Sequence, residues 1–295
     1  MSLQKLPILI LGYNKLESLK KILTIINKNK FKNIFISIDG PMHSEKINAR
    51  ELREYILSIS RKHNYKINIL KDHQGCKISV IQGINWFFKN VKQGVILEED
   101  CVPDPSFFRF CYELLNKYEK VKKIGQICGT NPLIRTKTKY SYFYSIYGGI
   151  WGWATWRDRW KNYDPEMKKW PIIKKINKLN KLITNKFDLI IRKIQFEKTY
   201  NNKIDTWDYQ WTFCKLINNY YSIIPKCNLI KNVGFTTMAT HTISRSSFAN
   251  LNLLKMNFPL KHNEKIINNQ NYIDKVVYKR IKDYISNKIS RLWAR

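Results

Sequence analysis

The sequence of 295 residues predicts an α/β fold with a mostly parallel central sheet covered by helices on both faces. Along the first hundred residues, short continuous apolar runs alternate with longer segments whose apolar residues recur every three or four positions. This alternation indicates strands joined by crossover helices. Neither of the common glycine-rich phosphate loops, GxGxxG or GxxxxGKS/T, occurs in the sequence. Their absence argues against a Rossmann dehydrogenase and a P-loop enzyme.

Four apolar runs are the predicted strands, at 6–12, 34–38, 67–70 and 94–97. Helices are predicted between them at about 16–26, 45–63 and 77–90 from the spacing of their apolar residues. Ligands of open α/β sheets bind beyond the carboxyl ends of the strands. We therefore expect one crevice to be lined by the polar segments that end strands one, two and four: Gly12-Tyr13-Asn14, Asp39-Gly40 and Glu98-Glu99-Asp100.

The second half of the chain is less regular and contains two long helical patterns. Residues 172–198 carry apolar side chains at helical spacing opposite a face rich in Lys, and residues 272–293 repeat the arrangement. Either both helices rest on the core, or their basic faces dock on an anionic membrane surface. The expected domains are an α/β domain at 1–245 and a basic helical C-terminal extension at 246–295.

A net charge of +31 constrains the partners of the protein more than its fold. Nucleic acid, an anionic membrane face and a phosphate-bearing substrate all suit such a charge. Compositional drift is a further explanation, because the chain is rich in Lys, Asn and Ile together. The basic residues do not cluster with aromatic residues in a recognisable nucleic-acid module, so nucleic acid is not an expected partner.

The N-terminal region lacks the features of a membrane or export segment. Its longest clean apolar run, Leu6 to Leu11, is too short to span a bilayer, and no signal-peptide pattern is present. The six cysteines are widely spaced without a CxxC pair, which favours reduced and buried thiols. We expect a cytoplasmic protein, and peripheral contact with the inner face of the membrane is the alternative that the basic helices leave open.

The acidic triplet Glu98-Glu99-Asp100 directly follows the fourth predicted strand. Side chains alternate along a strand, so Glu98 and Asp100 should point to one side and Glu99 to the other. Three adjacent carboxylates repel one another unless a cation or a donor-rich ligand balances them. A small number of hard oxygen ligands suits Mg²⁺ or Mn²⁺ shared with substrate phosphates, so the triplet predicts a divalent-metal site.

The segment from Val95 to Phe108 resembles the acidic-motif segment of the GT-A nucleotide-diphospho-sugar transferases, and particularly the N-acetylglucosaminyltransferase I family. Later segments resemble that family in the same order: Gly148-Gly149-Ile-Trp-Gly-Trp153, Thr206-Trp-Asp-Tyr-Gln-Trp211 and Ala239-Thr-His-Thr242. The resemblance covers about residues 6–242. It implies a GT-A fold and transfer of a sugar from a nucleotide-sugar donor to an acceptor hydroxyl.

The resemblance also implies roles for individual residues on the donor side. Asp100 would bind the Mn²⁺ or Mg²⁺ that bridges the donor diphosphate, and Glu98 and Glu99 would contact ribose and sugar hydroxyls. The family motif is Glu-Asp-Asp, whereas this sequence has Glu-Glu-Asp, so the role of the middle residue, Glu99, is less well defined than those of Glu98 and Asp100. Asp39 matches a carboxylate that recognises the base. The remaining donor-binding positions are Tyr13, Asn14, Lys15, Lys77 and Gly149.

Asp208 is the predicted catalytic base, with Asp205 in reserve. Direct displacement at the anomeric carbon needs a carboxylate that takes the proton of the acceptor hydroxyl. The alternative for Asp208 is a helix-capping role. Because a candidate base is present and no covalent nucleophile stands out, we expect the reaction to invert the anomeric configuration.

Four further residues complete the predicted site. His241 resembles a late histidine that contacts the metal or the diphosphate, and a purely structural role is its alternative. Trp151, Trp153 and Trp207 would stack on sugar rings of the acceptor or simply fill the core. The resemblance favours a UDP-sugar, in particular UDP-N-acetylglucosamine, and a surface-glycan or lipid-linked acceptor.

Two other functional classes compete with this interpretation. A sugar-1-phosphate nucleotidyltransferase needs a glycine-rich, Arg-containing loop after its first strand, and the segment Gly12-Tyr-Asn-Lys15 does not supply one. A nucleic-acid or anionic-membrane binding protein without transferase activity is suggested by charge alone.

Overall fold

A computed structural model describes residues 2–41, 47–234, 247–249 and 251–293. Within this part of the chain, eight strands form a central sheet and two form a small antiparallel ribbon. The sheet strands are β1 (Ile8–Gly12), β2 (Ile34–Ile38), β3 (Lys66–Ile69), β4 (Gln93–Glu98), β6 (Ile124–Cys128), β7 (Tyr142–Ser145), β8 (Trp153–Trp156) and β9 (Tyr221–Pro225). The ribbon strands are β5 (Cys101–Pro103) and β10 (Ile230–Asn232).

The helices of the described residues follow the strands in the first half and cluster in the second. They are α1 (Leu16–Lys28), α2 (Ile47–His63), α3 (Gly75–Asn90), α4 (Pro105–Tyr118), α5 (Arg157–Trp160), α6 (Trp170–Lys175), α7 (Lys178–Leu182), α8 (Lys186–Tyr200), α9 (Asp208–Ile217) and α10 (Gln270–Trp293).

The first half of the sheet confirms the predicted βα alternation. Strand β1 pairs in parallel with β2 and β4, and β2 pairs in parallel with β3. Alternate residues of β1 enter different cores: Ile8 and Ile10 join the core built with α1 and α2, whereas Leu9 and Leu11 join the core built with α3. A strand that is buried on both faces needs a continuous apolar run, and that run is why the sequence predicts β1 correctly.

The prediction of a mostly parallel sheet is wrong for the second half. The strand order is β3-β2-β1-β4-β8-β6-β9-β7, and β8 runs antiparallel to both β4 and β6. Strand β7 is also antiparallel to β9, while β6 and β9 are parallel. The prediction extended the βα alternation of the first hundred residues to a region that lacks it. The sheet is therefore mixed.

The predicted helix over 172–198 is divided into α6, α7 and α8. Asn177 adopts a left-handed backbone conformation with φ 51°, and Asn185 caps α8 by accepting from the amides of Phe187 and Asp188. These two turns change the helical phase, so the apolar residues of 172–198 do not share one face. Some of them are buried (Ile173, Leu179, Ile183 and Phe196), whereas others are exposed: Ile172, Ile176, Phe187, Ile190 and Ile194.

The predicted C-terminal helix is confirmed as α10. Its residues Tyr272, Ile273, Val276 and Val277 pack in a cluster with Phe143 of β7 and Ile224 of β9. The predicted boundary at 245/246 lies outside the described residues, so the division into two domains stays a prediction. None of the described helices is both long enough and apolar enough to cross a bilayer.

A buried polar hub on β6 joins α9 and the 148–149 segment to the central sheet. The Gln126 side-chain oxygen accepts hydrogen bonds from Trp211 Nε1 at 3.1 Å and Lys215 Nζ at 2.6 Å, both on α9. Its side-chain nitrogen donates to the carbonyl of Gly149 at 2.5 Å. Lys215 also donates to Ser222 Oγ at 3.1 Å, and burial lowers its pKa to about 8. Gln126 thus fixes α9 and the 148–149 segment to the sheet.

Replacing Gln126 with Leu should destabilise the protein by about 3 kcal/mol, because it leaves the Lys215 amine and the Trp211 indole N–H without their acceptor. Adding Lys215→Met should recover part of that loss, since the second substitution removes one orphaned donor. Urea unfolding of the single and double variants measures both effects. A single-variant cost below about 1 kcal/mol would show that the hub is not structurally required.

Candidate active site

The carboxyl ends of β1, β2 and β4 meet at one edge of the sheet, as the sequence predicted. Leu11 at the end of β1 is in register with Glu98 at the end of β4. The amide of Glu99 donates to the carbonyl of Leu11 at 2.8 Å, and the amide of Asp39 donates to the carbonyl of Gly12 at 3.2 Å. The three polar segments are therefore neighbours in space.

Glu99 holds the loop that follows β1. Its Oε2 accepts from the amide of Tyr13 at 2.8 Å and its Oε1 from the amide of Asn14 at 3.1 Å. A Cβ at Gly12 would lie 3.1 Å from Glu99 Oε2 and 3.0 Å from Ile38, so the glycine admits this close contact. Both carboxylate oxygens are thus engaged by the backbone, and contact of Glu99 with donor hydroxyls stays a prediction.

Asp39 has a similar structural function at the end of β2. Its Oδ1 accepts from the amides of Gly40 at 2.8 Å and Gln74 at 2.9 Å, and its Oδ2 accepts from the amide of Gly75 at 3.1 Å. His73 Nδ1 lies 2.9 Å from Oδ2. Asp39 therefore fixes the start of α3 against the sheet. Its role in base recognition stays a prediction.

His73 is a site residue that the sequence analysis did not identify. Its ring lies 5.1 Å from the ring of Tyr13, at an interplanar angle of 39°. The two rings therefore lie side by side next to Asp39. No motif or periodicity marks His73, because it precedes α3 in an irregular loop.

Lys15 and Asp100 form an ion pair at the centre of the crevice. The distance from Lys15 Nζ to Asp100 Oδ2 is 2.5 Å, and Lys15 is the less buried of the two side chains. Lys15 was predicted to contact the nucleotide and Asp100 the metal. The structure brings both residues together, with the ammonium of Lys15 balancing the carboxylate of Asp100.

Glu98 is the least balanced carboxylate of the triplet. Its Oε1 is buried and, within the described part of the chain, has no hydrogen-bond partner. Burial and, to a smaller extent, the charge of Asp100 raise the pKa of Glu98 to about 8 against the opposing charge of Lys15. A buried carboxylate oxygen without a partner suits a cation or a hydroxyl donor supplied by a ligand.

Asp208, from the second half of the chain, lies near enough to Glu98 for the two charges to interact. It is the first residue of α9, and its charge acts on both Glu98 and Cys76. The hydroxyl of Thr206 donates to Asp208 Oδ1. The helix shows no side-chain capping bond at its N-cap residue, Trp207. Asp208 is thus the first residue of the helix and not its N-cap, and its role as the catalytic base stays a prediction.

The reserve base Asp205 also lies near this crevice, since its charge acts on Cys76. Lys77 is on the first turn of α3, where its Nζ is 3.5 Å from Asn202 Oδ1. Gly149 has open space around its Cα, with Thr130 as the nearest side chain at 3.8 Å from an added Cβ. Their roles in catalysis and donor binding stay predictions.

The tryptophans divide between the core and the site. Trp153 and Trp207 are buried and stack on each other at 5.9 Å, and Trp211 and Trp160 pack around them. Buried rings cannot reach an acceptor, so the structure contradicts the acceptor role of these two residues and favours the core alternative. Trp151 is only partly buried and stays a candidate.

Among the described residues, the carboxylates at the end of β4 suit a divalent ion that is bound together with a ligand. No group of three or more His, Cys, Asp or Glu side chains in the described ranges is arranged to hold a metal by itself. Mg²⁺ and Mn²⁺, however, are commonly held by one or two carboxylates plus substrate phosphates. Asp100 and the orphaned oxygen of Glu98 match that donor set. His241, the other predicted metal ligand, lies outside the described residues.

The raised pKa of Glu98 predicts a pH effect on the metal-free protein. A carboxyl group whose folded-state pKa is raised contributes stability at low pH that is lost as pH rises through that pKa, here from about 4.5 to about 8. Glu98→Gln should therefore stabilise the protein by about 1–3 kcal/mol at pH 9 and by much less at pH 4. Urea unfolding with a chelator present at both pH values measures the difference. A stabilisation by Glu98→Gln that is equal at the two pH values would contradict a raised pKa of Glu98.

Comparisons with known proteins do not assign a family: no family model and no curated protein matches the chain. Among solved structures, the mannosyltransferase PcManGT from Pyrobaculum calidifontis, in complex with GDP-Man and Mn²⁺, is 10% identical, covers 53% of this chain and 46% of its own, and has a TM-score of 0.38. S. aureus TarS 1-349 is 10% identical, covers 55% of this chain and 49% of its own, and also has a TM-score of 0.38. The chain thus spans about half the length of each. At these values the likeness carries no functional argument, and the predicted relation to the N-acetylglucosaminyltransferase I family stays a prediction.

Proposed function

We propose that the chain is a metal-dependent, inverting glycosyltransferase that moves a sugar from a nucleoside-diphosphate donor to an acceptor hydroxyl. One observation carries the proposal. Asp208, from the second half of the chain, lies near enough for its charge to act on Glu98, beside the Lys15–Asp100 pair at the carboxyl end of β4. A separate carboxylate opposite a diphosphate-binding centre is the arrangement that direct sugar transfer requires.

On the donor side, Asp100 and Glu98 would hold the divalent ion, which neutralises charge on the diphosphate leaving group when it is bound. Lys15 would then turn from Asp100 to a phosphate oxygen, because the ion takes over its role as counter-charge. The Tyr13 and His73 rings, with Asp39 behind them, offer a surface for the base. Backbone bonds to Glu99 keep the Tyr13–Asn14 loop in place during these changes.

On the acceptor side, Asp208 would accept the proton of the attacking hydroxyl. The bond from the acceptor oxygen to the anomeric carbon forms as the bond from that carbon to the diphosphate breaks. The Thr206 hydroxyl bound to Oδ1 orients the carboxylate and leaves Oδ2 to take the proton. Attack opposite the leaving group inverts the anomeric centre.

The finer identities rest on the sequence resemblance. It favours a UDP-sugar, with UDP-N-acetylglucosamine first, and a surface-glycan or lipid-linked acceptor. The competing proposal, a basic binding protein without transferase activity, does not explain why carboxylates from two halves of the chain surround one crevice. The nucleotidyltransferase alternative remains disfavoured by the Gly12–Lys15 loop, which is held by Glu99 and contains no arginine.

A thermal-shift screen of nucleotide sugars with Mn²⁺ tests the function and identifies the donor, since a ligand that binds the folded state raises its stability. With that donor, Asp208→Asn should lower nucleoside-diphosphate release by about 10²–10⁴-fold, because Asn cannot accept the proton. Donor affinity should barely change. Asp205→Asn is the matched control and should retain activity.

Two results would contradict this proposal. If no nucleotide sugar raises the melting temperature with or without metal, the chain is not a transferase of this kind. If Asp208→Asn turns over like the wild type and Asp205→Asn does not, the base is Asp205.

A further inference from the structure

Helix α8 buries two charged residues and exposes three large apolar residues. Asp188 and Arg192 are 2% and 5% exposed, whereas Phe187, Ile190 and Ile194 are 52%, 57% and 50% exposed. The last three are spaced by three and four residues and therefore share one helix face. We call them the α8 apolar face. A helix on an ordinary protein surface has the opposite arrangement, with its polar residues outside.

The buried charges fix this orientation of the helix. The hydroxyl of Tyr147 donates to Asp188, and the guanidinium of Arg192 lies 5.0 Å from the centre of the Tyr147 ring. Arg192 and Arg280 of α10 each lie 3.8 Å from Asp188 Oδ1. Turning the helix to bury its apolar face would expose or separate this ion cluster. Separating a buried ion pair is costly, so the outward position of the apolar face is structurally enforced.

The surroundings of the α8 apolar face are basic. Residues 170–200 contain eight Lys and Arg side chains and two acidic ones, Asp188 and Glu197. Both acids are paired: Asp188 in the buried ion cluster, and the partly exposed Glu197 with Lys174 at 2.8 Å and Trp170 Nε1 at 3.0 Å. Helix α6, which these bonds fasten to α8, exposes Ile172, and the residue that follows the helix, Ile176, is exposed as well.

We infer that the α8 apolar face docks the protein on the surface of an anionic bilayer. Phe and Ile side chains with flanking Lys are the composition of helices that lie in the plane of a membrane surface. The apolar side chains would enter the headgroup boundary while the flanking lysines contact anionic headgroups, which accords with the +31 charge of the chain. This inference does not depend on the proposed reaction.

The docked orientation would place the candidate active site near the membrane. Helix α9 packs against α8, where Gln195 Nε2 donates to the hydroxyl of Tyr209 at 3.2 Å. Tyr209 directly follows Asp208, the proposed base. Docking through α8 would therefore bring the helix that carries Asp208 close to the membrane surface.

Flotation of the full chain with phosphatidylcholine vesicles, with and without phosphatidylglycerol, tests the inference at low and high salt. The protein should float with anionic vesicles at low salt and be released at high salt, because salt screens the headgroup attraction. Ile190→Glu should weaken binding about tenfold or more, since it removes an inserted apolar side chain and adds a repelled charge.

Leu57→Glu on α2 is the matched control, because Leu57 is 54% exposed and the substitution changes the net charge equally. It should weaken vesicle binding far less than Ile190→Glu does. Equal effects of the two substitutions, or equal recovery on neutral and anionic vesicles, would overturn the inference. A third result would also overturn the inference: the wild type does not float but forms a dimer in light scattering, and Ile190→Glu dissociates that dimer. The α8 apolar face would then be covered by a second copy of the chain. Thermal melts of both variants confirm that each is folded.

Discussion

Several carboxylates meet at the carboxyl ends of the parallel strands, and the structure depends on how each is balanced. Backbone amides satisfy Glu99 and Asp39, and these bonds shape the β1 loop and the start of α3. An ammonium group balances Asp100. Glu98 has a raised pKa and a buried oxygen without a described partner. The cluster therefore combines two structural carboxylates with two that are available to a cation and its phosphate ligand.

The second half of the chain supplies the other wall of the site. Helix α9 carries Asp208 at its first residue, and Trp211 and Lys215 fasten that helix to Gln126 on β6. Because Gln126 also holds the carbonyl of Gly149, one buried amide aligns the proposed base with the 148–149 segment. The same region turns its charged residues inward on α8, so the site and the proposed membrane surface are built on adjacent helices.

The sequence predicted the elements whose burial is complete and regular. Strands such as Ile34–Ile38, buried on both faces, have a continuous apolar run, and the acidic triplet was visible at the end of one of them. The mixed second half could not be predicted, because β7 and β8 are short and their pairing depends on distant partners. The helical spacing over 172–198 also predicted one continuous helix where there are three, since turns at Asn177 and Asn185 interrupt the helical periodicity. The positions of Trp153 and Trp207 in the core depend on packing that spacing does not encode.

Calorimetric titration of UDP and of GDP into the full chain, with Mn²⁺ or with a chelator, tests the central claim most directly. The account predicts that one nucleoside diphosphate binds the wild type in the presence of metal and that binding is largely lost in Asp100→Ala. It should persist in the control Asp274→Ala, which removes an exposed carboxylate from α10. Metal-dependent binding that is unchanged in Asp100→Ala, or binding of neither nucleotide to the wild type, would contradict a diphosphate site at the end of β4.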